Sequence, residues 1–329
     1  MKFRKISFVV CCVVLMSWSA TAAWAAAEGS FQRNLKVSGS VDLDIETGSG
    51  NIEIRTGSSD QVQVTGHIRA NNNTWFGGSG ADAAEKVKRI ESNPPIQQSG
   101  NDIRIGHIDD PSLRRNISIS YELVVPPDTR LRSRTGSGNQ NAVGLKGSVD
   151  LQTGSGNVVF SNIENTVRAE SGSGNIEADH VNGNVRAKSG SGDIRINGLS
   201  GGLDAESGSG NITMAQASAG SVRASTGSGD VTLSGVKGSL EANTGSGTLH
   251  AEGDPKGAWR LHTGSGSVKV RFPSQSSYDL YAHTGSGGIS VGPPITVQGT
   301  VNKHEMRGKV GGGGVPVELE TGSGEIEIQ

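Results

Sequence analysis

The sequence predicts an all-β fold, a parallel β-solenoid of the β-helix or β-roll kind, with about 18 residues and two short strands per coil. Three observations predict it. One phrase, Thr/Ser-Gly-Ser-Gly followed by an apolar-alternating run, opens at Thr135, Thr153, Ser171, Ser189, Ser207, Thr226, Thr244, Thr263 and Thr284, in steps of 18 to 21 residues. Self-similarity at a short fixed period marks a solenoid, whose units bury their apolar faces only against their neighbours. Each phrase is flanked by period-two runs, such as Val167 and Ala169 before Ser171 and Ile176 and Ala178 after it. That alternation belongs to strands with one buried face. Finally, 4% of residues are aromatic and 50 of 329 are glycine, about double the average glycine share of about 7%. Such a chain builds a thin interior of Ala, Val, Ile, Ser and Thr.

Residues 1–25 read as a secretory signal peptide. Lys2, Arg4 and Lys5 precede an apolar stretch, and Ala23-Trp24-Ala25 fits the small-residue rule at a cleavage site. The apolar stretch is short for a membrane span, which takes about 20 residues. Cys11 and Cys12 are the only cysteines and both fall here, so the mature chain has no disulfide to form. Without Lys2, Arg4 and Lys5, 27 basic residues face 32 acidic ones. That balance, with no basic aromatic patch, excludes a nucleic-acid partner.

Residues 26–65 carry the first coils. Val41, Leu43 and Ile45 alternate with acids, Thr47 opens a phrase, Ile52 and Ile54 follow, and Val62 and Val64 continue beyond a near-copy at Thr56. Residues 66–130 interrupt the period. A polar, Gly-rich loop over 71–80 carries Trp75 and Phe76. Asp82 then starts a helix over about 82–92, with Ala83, Val87 and Ile90 on one face and Pro94-Pro95 ending it. Two longer strands follow, near Asp102–Ile105 and Ile117–Val125. The insert caps the amino-terminal end, because open sheet edges invite pairing with other chains.

The strand ending Tyr121-Glu-Leu-Val-Val-Pro126, then Leu131, then Thr135-Gly-Ser-Gly-Asn139, resembles a widespread bacterial family of candidate adhesins built from β-strand repeats. The upstream strand, Thr-Gly-Ser-Gly and strand, with the Asp-Ala-Ala-Glu helix start, is similar to the same family, and the resemblance spans roughly 37–329. It implies a β-solenoid at the cell envelope or outside the cell, with an adhesive role and no catalytic residues to carry over.

The main solenoid fills 131–329. Outward positions three before each phrase hold Asp150, Arg168, Arg186, Asp204, Arg223, Glu241 and Arg260. Stacked about 4.8 Å apart, opposite signs mostly alternate and disfavour a slipped register. Trp259 is too large for the interior and marks a widening or a half-exposed site. Residues 292–317 loosen the period, and 284–321 fits two coils with longer corners. Outer glutamates on the last strand discourage edge pairing.

Calcium wants several carboxylates; of the ten residues that follow Gly-Ser-Gly, only Asp193 and Asp230 are acidic, and Asn or Asp there caps its own turn. No cofactor is therefore expected. His262 and His283 occupy equivalent places in adjacent coils, after Asn243, but lack a third metal ligand. Gly198-Leu-Ser200-Gly-Gly202 spells a nucleophile elbow without the strand-to-helix context that motif needs. The phrase-opening hydroxyls share parity with Ala and Val, which makes them core fillers rather than an outer array. No enzyme is expected: polysaccharide-cleaving solenoids need clustered acids in a groove, and these acids alternate with bases. The reading is a secreted, periplasmic or cell-surface scaffold without an integral membrane span after cleavage. Its partner is a cell-surface protein or glycan; the alternative is a glycan-binding or polysaccharide-active solenoid. Trp75, Phe76, Trp259, His262 and His283 are the candidate contact residues.

Overall fold

The computed structural model describes residues 27–70, 80–297 and 302–329. The signal segment, Trp75 and Phe76 lie outside them. The chain forms two long sheets, A with 14 strands and B with 15. A coil runs along Val149–Thr153 in sheet B, turns through Gly154-Ser155-Gly156, and runs along Val158–Ile163 in sheet A. It then enters Val167–Ser171 in parallel beside the strand it left. Val158 pairs with Ile176, Ile176 with Ile194, and Ile194 with Ile212. All four are fully buried. Each contributes about 1.5–3 kcal/mol by leaving water, so the period-two rows are the core.

Each Gly-Ser-Gly corner lies on the corner of the next coil. A Cβ added to Gly190 would stand 2.3 Å from the Gly172 carbonyl oxygen, and one on Gly192 would stand 2.1 Å from that of Gly174. Neither glycine has left-handed backbone; the neighbouring carbonyl excludes the side chain. The phrase-opening hydroxyl points inward and locks the stack. Ser189 Oγ donates to Gly174 O at 2.9 Å and accepts from Gly192 N at 2.9 Å. Thr153 and Ser171 repeat both bonds. The residue after the corner forms a second ladder. The Asn157 carboxamide oxygen accepts from Asn175 N, Asn175 from Asp193 N, and Asp193 from Asn211 N. These side chains therefore bond the adjacent coil, where the sequence had suggested that each caps its own turn.

A third apolar row comes from a bend at the far end of the sheet A strands. Gly144, Asn162, His180, Gly198 and Gly235 have φ between 52° and 82°. The next residue in each case, Leu145, Ile163, Val181, Leu199 or Val236, is buried. The left-handed residue breaks the alternation and turns that side chain inward.

Both ends depart from the simple stack. Of residues 26–65, only Asp42–Thr47 and Ile52–Thr56 form a coil. Ala27–Lys36 pairs antiparallel with Gln61–Ala70, which pairs antiparallel with Ile117–Val125. Thr56 ends a strand, opposite Val125, instead of opening a phrase. Asp102–Ile105 is only four residues long and carries the antiparallel edge strand Ile96–Ser99. The helix, Gly80–Ser92, packs Ala83, Val87 and Ile90 over Ala27–Lys36 and Gln61–Ala70. Thr47 pairs directly with Thr135, so the insert bulges from the stack without interrupting it.

The carboxyl-terminal end is threaded. Val315–Ser323 sits between Trp259–Ser265 and Tyr278–Ser286, parallel to both. The next coil in sequence thus skips one rung, and the last strand returns to fill it; 284–321 is not a run of two successive coils. Trp259 is fully buried there and is neither half-exposed nor a contact residue. Its Nε1 donates to Gly238 O at 3.0 Å. Phe272 stacks on it at 5.1 Å and on Tyr278 at 4.6 Å, filling the interior where the chain steps over the rung. Glu305–Val310 and Ile295–Val297 cover sheet B at this end with antiparallel pairs, while sheet A ends on the parallel strand Ile289–Val291.

Two expected outcomes follow from this packing. Gly190→Ala should lower stability by about 1–3 kcal/mol through overpacking, whereas Gly48→Ala, at the matching site of the first corner with nothing within 4 Å, should change it by less than about 0.5 kcal/mol; thermal and denaturant unfolding measure both. The Tyr278 hydroxyl is buried without a partner, and burial raises its pKa to about 12. A phenol held neutral in the fold contributes stability that is full below its unfolded pKa of about 10 and is lost as pH rises toward 12. Tyr278→Phe should flatten that alkaline loss in a pH series of unfolding midpoints.

Candidate functional site

The outer edge of sheet B carries a groove of about 940 Å³ that crosses the rungs from Asp102–Ile105 toward Val222–Thr226. Its floor is the looser corner, where Ser148, Thr166, Asn184, Gly202 and Ser221 precede successive sheet B strands. Small residues there leave the trough open. One wall is the row of outward charges: Arg132, Asp150, Arg168, Arg186 and Asp204 lie in register on adjacent strands.

Most of these charges are paired and partly exposed; Asp150 accepts from Gln152 Nε2 at 3.1 Å instead, and Asp204 Oδ1 is buried without a partner. Arg130 meets Asp42 at 3.1 Å, Arg132 meets Asp44 at 3.8 Å, and Arg186 meets Asp204 at 3.5 Å. Arg168 and Arg186 are neighbours of like sign; Arg168 turns instead to Glu170 at 2.7 Å. The result is a strip of guanidinium and carboxylate groups of mixed sign, with side chains more than a third exposed in the three groove pairs. It suits an extended partner with donors and acceptors along its length. A second trough, of about 820 Å³, follows the Gly-Ser-Gly corners beside Gln152, Glu170, Lys188 and Glu206. Its glycines bear no side chains, and Ser155, Ser173, Ser191 and Ser209 stand exposed along the corner.

The structure separates the residues singled out from sequence. His262 and His283 are not on adjacent strands: Glu320 stands between them in register, and its carboxylate lies 3.5 Å from His262 Nδ1. The pairing fails because the last strand fills the rung between theirs. Both histidines are exposed and form one row with Asn243, Glu320 and Glu305. Among the described residues, no group of three or more His, Cys, Asp or Glu is arranged to hold a metal ion. The turn oxygens that calcium would use accept backbone N–H groups of the next coil. Ser200 sits in a corner, its N–H donating to Val181 O. Sequence reasoning had the charged row but not the groove. The signal was the small residue two before each row position, which periodicity alone leaves as part of a turn.

Exposed ion pairs contribute about 0–1 kcal/mol each. Arg186→Gln and Asp204→Asn should therefore each shift stability by less than about 1 kcal/mol in denaturant unfolding, leaving a folded protein with an altered groove.

A family model described as Toastrack DUF4097 matches residues 97–329. No curated protein matches the sequence. Two solved structures are similar along most of their length. One is a candidate cell-adhesion protein of Clostridium sporogenes ATCC 15579, 12% identical, with 92% of this chain and 98% of that chain covered and a TM-score of 0.23. The other is a candidate adhesin of Bacteroides fragilis NCTC 9343, 12% identical, with 92% and 97% covered and a TM-score of 0.32. Among the described residues, no helix is long and apolar enough to cross a membrane.

Proposed function

The chain belongs to the Toastrack DUF4097 family, and we propose that it is a non-catalytic, adhesin-like scaffold, secreted or held at the cell envelope, that grips an extended protein or glycan along its length. The observation that carries this reading is the groove across the sheet B rungs, with its exposed guanidinium and carboxylate groups in register. A parallel solenoid repeats the same contact every rung, so many weak polar contacts add along one axis. The basic start, apolar stretch and Ala23-Trp24-Ala25 support export.

The same groove argues against hydrolysis of the bound polymer. Glycoside cleavage needs a pair of carboxyl groups flanking the scissile bond; here Asp42, Asp44 and Asp204 each face an arginine instead of a second acid.

The test is binding of the full chain to a glycan array and to intact bacterial cells, beside a variant with Arg132, Arg168 and Arg186 all changed to Gln. The expected result is binding that falls about tenfold or more in the variant and with added salt, while its circular dichroism is unchanged. Equal binding by both proteins would sink the groove as the contact surface.

A further inference from the structure

The coil made of Val315–Ser323 and Ile326–Ile328 lies in a slot between two coils that are consecutive in sequence. The near wall is Trp259–Ser265 with Val268–Arg271; the far wall is Tyr278–Ser286 with Ile289–Val291. Val317, Leu319, Ile326 and Ile328 are fully buried between them. The walls are held a rung apart by aromatic packing. Trp259 stacks on Phe272 and Phe272 on Tyr278, so side chains reach from one wall to the other past the inserted strand.

Charge also calls for this coil and not for a closed slot. Glu318 meets Arg260 at 3.4 Å, Glu320 meets His262 at 3.5 Å and Glu327 meets Lys269 at 3.4 Å. The far wall offers Tyr281, His283 and Ser290 at the same register. Laid directly on the near wall, it would set His283 on His262 and bring no acid to Arg260 or Lys269. The occupant must therefore point apolar side chains inward and carboxylates outward, as residues 315–329 of this chain do. The chain enters that coil through a glycine hinge. Val310 and Val315 pair with the two sides of Tyr278, so Gly311–Gly314 crosses two strand spacings, about 10 Å. Gly311 and Gly313 have φ of 59° and 75°, a backbone that glycine adopts at least cost.

We propose that this coil exchanges between two copies of the chain, each laying its residues 315–329 in the slot of the other and joining the two stacks at these ends. Every contact of the closed monomer is kept in such a pair, and only the hinge changes its path. Insertion within one chain has an effective concentration on the order of millimolar. The exchanged pair therefore forms at high protein concentration, once the coil has been loosened.

The experiment follows two thiols. Ser265 and Ser323 are exposed and in register on adjacent strands. The full chain carries Ser265→Cys, Ser323→Cys, Cys11→Ser and Cys12→Ser. A short bismaleimide then joins the new thiols within one chain when the monomer is closed, and between two chains when the coil is exchanged. The protein is held concentrated just below its unfolding midpoint, cooled, and sized by chromatography with light scattering. The expected result is a dimer whose crosslinked product holds two chains on a denaturing gel. Removing Gly312, Gly313 and Gly314 leaves one residue between Val310 and Val315, with a reach of about 7–8 Å, too short to close within one chain. The two-chain fraction should then rise about tenfold or more. A native-hinge protein that stays monomeric, a dimer crosslinked only within single chains, or no rise on shortening the hinge would overturn the proposal.

Discussion

The closeness of stacked corners governs this molecule. Backbone carbonyls of one Gly-Ser-Gly turn lie where a Cβ of the next would stand, at 2.3 Å or less for Gly190 and Gly192. Parallel strands about 4.8 Å apart leave no room for side chains on the inside of a two-residue reversal. The glycines follow from that spacing. So does the inward hydroxyl, since a corner so tight leaves the Gly174 carbonyl and the Gly192 N–H without strand partners; Ser189 satisfies both. A side-chain ladder from Asn157 to Asn211 ties the same corners from outside.

A stack held by its neighbours has two unsatisfied ends. Reversed strands cover sheet A at one end, where Gln61–Ala70 runs antiparallel, and sheet B at the other, where Glu305–Val310 does; sheet A ends there on the parallel strand Ile289–Val291. Antiparallel partners need no crossover, so a short hairpin covers an open edge. The threaded rung serves the same end. Val315–Ser323 enters between two strands already laid side by side in sequence, which puts its backbone groups in the interior of sheet B.

The proposed contact surface lies where the coil is least regular. The Gly-Ser-Gly corner is too uniform to tell rungs apart. The opposite corner varies, as Ser148, Thr166, Asn184 and Gly202 show, and the charged row beside it is of mixed sign. Register and the groove therefore draw on the same side chains: Arg186 pairs with Asp204 across its rung and lines the trough.

The rows of Val, Ala, Ile and Leu, the inward parity of Thr153 and Ser171, and the helix near 82–92 were legible in the sequence, because period and parity depend only on local geometry. The Leu145 to Val236 row was not, since it requires a left-handed residue that His180 and Asn162 do not announce. Trp259 looked too large for the core; it fits because Phe272 and Tyr278 occupy a place where the chain skips a rung. Repetition itself set the limit. Thr263, Thr284 and Thr321 open the same phrase, so the phrase alone does not order their coils. The sequence alone determined that coils stack and which faces they bury. Only the tertiary structure decided their order at the two ends, because identical ladders carry no address and the aromatic packing and antiparallel caps supply it.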